Sequence, residues 1–483
     1  MGNYFEKLDE QTKEYFKILS PEIPDFLEEY IETSEMKKQA GISVSCGIFY
    51  SKLFGDIKWY SSLDHSVAVA LIIWNFTKNK KQTLAGLFHD IATPVFKHSI
   101  DFMNGDYIKQ ESTEELTTNV LSTSKEIISL LDRDGIKIEE ISDYHIYPIA
   151  DNDTPRLSAD RLEYTLSNGL GVIKLLWNLE EVKEIYQNIE IQRNEEGIEE
   201  LGFKDIKLAE KFVKNMSKLS SLYITNENKL TMQFLADVMK KMTEKNLITK
   251  KDMYNLSEKE VIKRIKNCEE DNISKYFELW ENATKINESD IFVKDKYCAS
   301  IKAKIRYIVP LVVSEGQFVR INEVSNDAKA DIERCLNFKT KKYAYFDFWP
   351  RGRAPWSRKE EKMFNNEQTI MIQNIFTVKN IILYFIIINL FGFFIMWLDK
   401  KKAKKGAWRI PEKTLFIITA LGGGVGTIAG MYTFRHKTQK IAFVIGFPFI
   451  TVLEIITIIY FSFIRWFILC NFRKIGKWVR MFI

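Results

Sequence analysis

The chain has 483 residues, 46% hydrophobic and 28% charged, with a formal net charge of +5. That length is too great for one core, since cores stop growing near about 250 to 300 residues, and the small charge excess, gathered largely after residue 350, argues against a nucleic-acid-binding surface on the larger part. Five scattered cysteines with no CxxC pair point to a reducing compartment, and the charged, amphipathic start MGNYFEKLDEQTKEYF lacks the apolar core of a signal peptide.

Residues 1 to 60 read as short helices and loops, with Pro21 and Pro24 punctuating the first connection. From Asp64 the run Val67, Ala68, Ala70 to Trp74 is too continuously apolar for a surface helix, so a buried helix is predicted with His65 in its first turn. A second helix, TLAGLFHD, follows the polar KNKKQ and must end before Pro94. More helix is predicted over 107 to 150. A loop with Asp151, Asp153 and Pro155, its two aspartates read as turn and N-cap residues rather than ligands, then leads into a helix from about Leu157 to Gly169 with Asp160 in its first turn. Residues 175 to 335 continue as amphipathic helices, so the larger unit is expected to be all-α.

Neutral imidazoles and ionised carboxylates are what a divalent metal needs, and His65, His89, Asp90 and Asp160 could supply four ligands. Successive helical residues diverge by about 100°, so His89 and Asp90 can share an ion only where their helix is ending, which Pro94 enforces. LDHSVAVAL, LAGLFHDIATPVFKHSID and SADRLEYTL together resemble the HD superfamily of metal-dependent phosphohydrolases, in the branch containing deoxynucleoside triphosphate triphosphohydrolases. The resemblance is specific over about 40 to 175 and loose to about 340. It implies a helical bundle, a divalent ion (Mn, Mg, Fe, Ni or Zn) held by those four residues, and a bound water aimed at a phosphate ester.

It further implies that His98, nine residues past His89, lies beside the substrate phosphates, with Glu111 as a second catalytic candidate, and that Arg161 and Tyr164 face phosphate and sugar. Ser62 stands where the triphosphohydrolases carry an arginine, Thr93 where they often have a histidine, and Gln110-Glu111 where they have a His-Glu pair. His145 has no family counterpart and is read as structural rather than as an extra ligand.

After residue 345 the composition changes. Residues 346 to 377 form a basic and aromatic linker, and three apolar stretches follow: Asn380 to Leu398, Thr414 to Phe434, and Ile441 to Ile464, the last with Glu454 as its one ionisable group. Each meets the roughly 20-residue length of a spanning helix. Arg409-Ile410-Pro411-Glu412, the run Gly422 to Gly426, and Phe434 to Thr438 resemble DUF1294, a bacterial membrane family of unknown activity, over about 378 to 465. The glycines suit close helix packing and His436 an interfacial cation. If all three stretches span and the larger unit is cytoplasmic, the Lys400 to Lys413 loop, with seven Lys/Arg, falls outside. Either one stretch is re-entrant or the positive-inside tendency is broken.

The expectation is therefore an all-α chain: residues 1 to 345 as an HD-type bundle, 346 to 377 as linker, and 378 to 483 as a small helical membrane domain of about three segments. It would be a multi-pass membrane protein with its HD unit in the cytoplasm, a metal-dependent phosphohydrolase acting on a nucleotide or related phosphate ester. The alternative is a catalytically weakened HD pocket that senses a nucleotide. Partners are the substrate and the lipid bilayer, not nucleic acid; self-association into a homo-oligomer stays open.

Overall fold

The computed structural model describes residues 4 to 108, 116 to 347, 378 to 404 and 410 to 453. The chain forms two units, Met1–Pro355 and Trp356–Ile483. In the first, helix α1 (Ser62–Thr77) is the centre of the core: Val67 to Ile73 are fully buried. It starts sharply because Ser61 caps the amide of Asp64 while the Asp64 carboxylate accepts from the Ser61 amide. It packs along α2 (Lys80–Phe88), where a Cβ on Gly86 would come within 2.2 Å of Ile73, so only glycine permits the approach. α2 stops at Phe88, and His89 and Asp90 occupy the following turn.

Two further short helices complete the frame of the site. α3 (His98–Met103) follows two successive residues of positive φ, Phe96 at 63° and Lys97 at 42°, and packs on a later helix. α4 (Ala159–Gly169) is capped by Ser158, which immediately precedes it, rather than by Asp151 or Asp153, and lies against α1. α5 (Ile206–Tyr223) and α6 (Asn226–Glu244) continue the helical layer.

The all-α expectation fails. Among the described residues there are seven strands in two sheets. They are β1 (Ile189–Arg193), β2 (Glu199–Phe203), β3 (Asn287–Ser289), β4 (Tyr297–Ala299), β5 (Leu311–Ser314), β6 (Gln317–Arg320) and β7 (Tyr343–Phe346). The first sheet has the order β1-β2-β5-β6, antiparallel except for the parallel β2–β5 pair; the second places β7 between β3 and β4, all antiparallel. The first sheet positions the site. Arg320 of β6 pairs with the fully buried Glu200 of β2 at 2.7 Å, and Glu200 Oε1 also accepts from the amide of Leu157, just before α4. The chain entering β5 is held to the same loop by the Val309 amide, which donates to the Pro155 carbonyl at 2.8 Å.

The second unit contains α7 (Val378–Lys404), α8 (Glu412–Ile418), α9 (Gly424–Thr433) and an apolar helix α10 (Ile441–Leu453). Among the described residues one helical stretch, Glu412–Thr433, is long and apolar enough to cross a membrane by length and composition, against the expected three segments. Its path is interrupted by Gly422, at φ 99°. Glu454 and Arg409 lie outside the described residues.

Candidate metal centre

Two helix N-termini and one turn bring four side chains together. His65 comes from the first turn of α1, His89 and Asp90 from the turn after α2, and Asp160 from the first turn of α4. One ligand atom each from His65, His89 and Asp160 lies within 4.8 Å of the others. His65 Nε2 is 3.2 Å from His89 Nε2 and 3.1 Å from Asp160 Oδ1; His89 Nε2 is 3.8 Å from that oxygen. Asp90 stands beside this three-residue group rather than within it, its Oδ2 4.0 Å from His65 Nε2 and 3.7 Å from His89 Nε2. Four ligands at about 2.1 Å from one tetrahedral ion stand about 3.4 Å apart, so the spacing fits a single divalent ion.

The hydrogen bonds behind the ligands explain why both imidazoles turn Nε2 inward. His89 Nδ1 donates to the Gly86 carbonyl at 2.7 Å, and His65 Nδ1 donates to the Glu163 carboxylate. Glu163, fully buried on α4, also accepts from Tyr60 at 2.8 Å and Tyr15 at 3.4 Å. Each imidazole thus spends its one neutral-state proton outward and aims a lone pair at the centre. Two such lone pairs 3.2 Å apart repel unless a cation or proton lies between them.

The charges agree. Burial works against a protonated His65, but Glu163 and Asp160 outweigh it and raise its pKa to about 10. Burial would raise Asp160 too, yet His65 holds it well below the usual carboxylate range. Asp90 is likewise depressed despite burial, chiefly by Lys97, whose Nζ sits 2.5 Å from Asp90 Oδ2. Ser62 and Thr93 both donate to Asp90, at 3.4 and 3.1 Å, so these hydroxyls brace a candidate ligand.

The centre forms one end of a cavity of about 440 Å³. His98 lines it, but its ring is engaged on both sides: Nδ1 donates to buried Asp101 at 2.9 Å and Nε2 accepts from Arg306 at 3.1 Å. Burial lowers its pKa, and Arg306 and Lys97 lower it further, which keeps it neutral as a support for the Arg306 guanidinium. Arg161 also lines the wall, its guanidinium spread over Asp151, the Asn152 carbonyl and side chain, and Ser158. Tyr164 faces the same cavity, with Ile48, Phe102, Met232 and Tyr223 forming a less polar end. His145 stands at the wall against Asp143 and Asp151, at 2.9 and 3.4 Å, and is not one of the three residues of the metal-capable group. Glu111 lies outside the described residues.

Glu163, Lys97 and Arg306 were absent from the sequence expectation. Glu163 carries a legible signal, three residues after Asp160 on the same helix face. Lys97 and Arg306 carry none, because one depends on a positive-φ turn and the other arrives through an extended segment.

Comparison with known proteins bears on both units. Residues 389 to 443 match the family model described as a protein of unknown function, DUF1294. An uncharacterised Bacillus subtilis protein, YsdA, is 46% identical over 80 residues, which is 16% of this chain and 90% of YsdA. Through that part, the chain belongs to the DUF1294 family. A second uncharacterised B. subtilis protein, YdhJ, is 23% identical over 329 residues, 67% of this chain and 94% of its own length. The metal-dependent phosphohydrolase cns2 of Cordyceps militaris is 24% identical over 154 residues, 31% of this chain and 42% of that protein. Among solved structures, a phosphohydrolase from Bacteroides thetaiotaomicron superposes with a TM-score of 0.45 at 13% identity, covering 67% of this chain and 96% of that one.

Proposed function

We propose that this DUF1294-family chain is a metal-dependent phosphohydrolase of the HD type, residues 1 to 345, tethered to a membrane by residues 378 to 483. The reading is carried by one observation above all: two imidazoles, each held at Nδ1, face each other with Nε2 atoms 3.2 Å apart, beside two carboxylates. His65, His89, Asp90 and Asp160 would hold the divalent ion. When bound, such an ion lowers the pKa of its water and polarises a phosphoryl oxygen.

The remaining chemistry belongs to the chain's own side chains. Lys97, paired with Asp90, and Arg306, bonded to His98, place two cations on the cavity wall, suited to the non-bridging oxygens of a phosphate ester or anhydride. His98 positions the Arg306 guanidinium. Arg161, already committed to Asp151 and Asn152, stiffens the wall, and Tyr164 with the apolar end accommodates the alcohol part of the ester. A cavity of this size holds a nucleotide-sized ligand, and a nucleotide is the substrate proposed. Membrane attachment is supported by the density of exposed large apolar residues in the second unit, from Tyr384 to Leu453.

The full-length protein in detergent, supplied with Mn²⁺, Mg²⁺ or Zn²⁺ in turn, should release phosphate, diphosphate or triphosphate from a nucleotide panel. His89→Ala and Asp90→Ala should each abolish the release. A second reading, a nucleotide-binding sensor, is favoured by the commitment of His98 to Asp101 and Arg306. Tight binding with no turnover would select it.

A further inference from the structure

The stretch Glu412–Thr433 has 22 residues and, run as one straight helix, would be about 33 Å long, enough to cross a bilayer. Its two ends, however, meet. Glu412 Oε1 is 3.2 Å from Lys437 Nζ and 2.7 Å from Lys440 Nζ. Asp399, fully buried near the end of α7, accepts from the Ile410 amide at 3.0 Å and from His436 Nε2 at 2.7 Å, so it ties together the residues just before and just after the stretch. Midway, the hydroxyls of Thr419 and Thr427 are 3.1 Å apart, whereas residues eight apart on a straight helix are separated by about 12 Å along its axis. The chain therefore goes down α8, reverses, and returns along α9.

The reversal is built for an apolar setting. Gly422 turns the backbone at φ 99°, a conformation side chains rarely adopt. The polar groups opened by the turn are met from α7: Asn389 Nδ2 donates to the Gly422 carbonyl at 2.8 Å, Asn389 Oδ1 accepts from the Gly426 amide at 2.7 Å, and the Tyr384 hydroxyl donates to the Leu421 carbonyl at 2.6 Å. Broken helices survive at membrane depth only where protein satisfies the freed backbone in this way. Along α7, the tip is held between Tyr384 and Asn389, and the feet lie at Asp399. Ten to fifteen residues at 1.5 Å each put the tip about 15 to 22 Å beyond the feet, short of a full hydrocarbon core of about 30 Å.

The outer surface is graded to match. Ile417, Leu421, Val425 and Tyr432 are exposed along the hairpin, while Lys401, Lys402, Lys404, Lys413, Arg435 and Lys440 are exposed at its feet. Lys401 also lies over the Trp397 ring at 4.8 Å, an interfacial pairing.

We propose that Glu412–Thr433 is a re-entrant helical hairpin that enters and leaves the same leaflet, with the basic segments Lys400 to Lys404 and Arg435 to Lys440 together in one headgroup layer. This rests on the membrane reading above and answers the topological conflict in the sequence: the re-entrant segment is the middle one.

The test is sidedness in the full chain. Lys413→Cys and Lys440→Cys are expressed separately in a bacterial host, and labelling by a membrane-impermeant maleimide is compared before and after permeabilisation, with labelling of the native chain subtracted. The two positions should agree in intact cells, their labelling ratio near 1, and both should label after permeabilisation. A difference of tenfold or more between them, meaning opposite sides, overturns the hairpin. A second measurement covers disturbance at the feet: a probe on Leu421→Cys should be quenched by lipids labelled near mid-bilayer, and quenching in the far headgroup layer overturns the proposal. Recovery of the chain in the soluble fraction would remove the membrane reading itself, and the hairpin's insertion with it.

Discussion

Glu163 touches no ion, yet the geometry makes it decisive for metal affinity, and Glu163→Gln isolates that role. The glutamine matches the glutamate in shape and can still accept from Tyr60 and Tyr15, now 2.8 and 3.4 Å from Oε1. What disappears is the buried negative charge on the Nδ1 side of His65, which raises the basicity of the ring and fixes its tautomer. Outer carboxylates of this kind are worth about 10- to 100-fold in metal affinity, or about 1.4 to 2.7 kcal/mol. The assay is competition for Zn²⁺ or Mn²⁺ against a chromophoric chelator, with thermal melting in parallel. The expected result is a Kd raised at least tenfold with the fold retained. A folded variant binding within twofold of the parent would refute the assignment of His65 as a ligand oriented by Glu163.

Other expectations follow from the same geometry. Lys97→Met should leave one ion bound per chain but lower kcat/KM on the nucleotide by about 100-fold, the order expected when one charged contact to a developing oxyanion is lost; unchanged turnover would dismiss Lys97 as a phosphate contact. Glu258 is buried against the amides of Ser43 and Phe96, and burial pushes its pKa up to about 8. Because the folded value lies above the unfolded one, its share of stability is complete below about pH 4.5 and is lost as pH rises to about 8. Glu258→Gln should therefore raise the melting temperature at pH 8 relative to the parent and change it less at pH 5; equal shifts at both would contradict the burial argument. Glu163 and Asp160, outweighing burial, leave His65 protonated at neutral pH without metal, so ion binding should displace about one proton per chain between pH 7 and 8, measured by calorimetry in buffers of different ionisation enthalpy.

The parts of the molecule visible in the sequence are those whose signal is local. The buried α1 and the turn that lets His89 and Asp90 converge follow from apolar continuity and a proline within a few residues, whereas the cap before Asp160 was expected at Asp151 or Asp153 and is Ser158, the residue adjoining the helix. The sheets were missed for a physical reason. IEIQRNEEGIEELGF alternates only weakly because the polar Gln192 and charged Glu200 are buried among its apolar residues, and β3, β4 and β7 are three or four residues long. One hairpin was nonetheless legible: LVVSEGQFVR reverses at Glu315 and Gly316, both with positive φ, a tight-turn pattern. Arg306 lay beyond local reading, 146 residues past Asp160 and brought to the cavity by the β5 register. Composition also could not distinguish a crossing helix from a hairpin in Glu412–Thr433. Both are apolar runs of equal length, and the difference resides in one glycine's φ and in an asparagine on a neighbouring helix.

The central claim, that His65, His89, Asp90 and Asp160 form one metal centre, is tested most directly by the metal content of the purified full-length chain and of His89→Ala, each measured by inductively coupled plasma mass spectrometry alongside phosphate release. The account predicts close to one divalent ion per parent chain, with both ion and phosphate release lost in the variant. Equal metal content in the two proteins, or phosphate release that persists without metal, would contradict it.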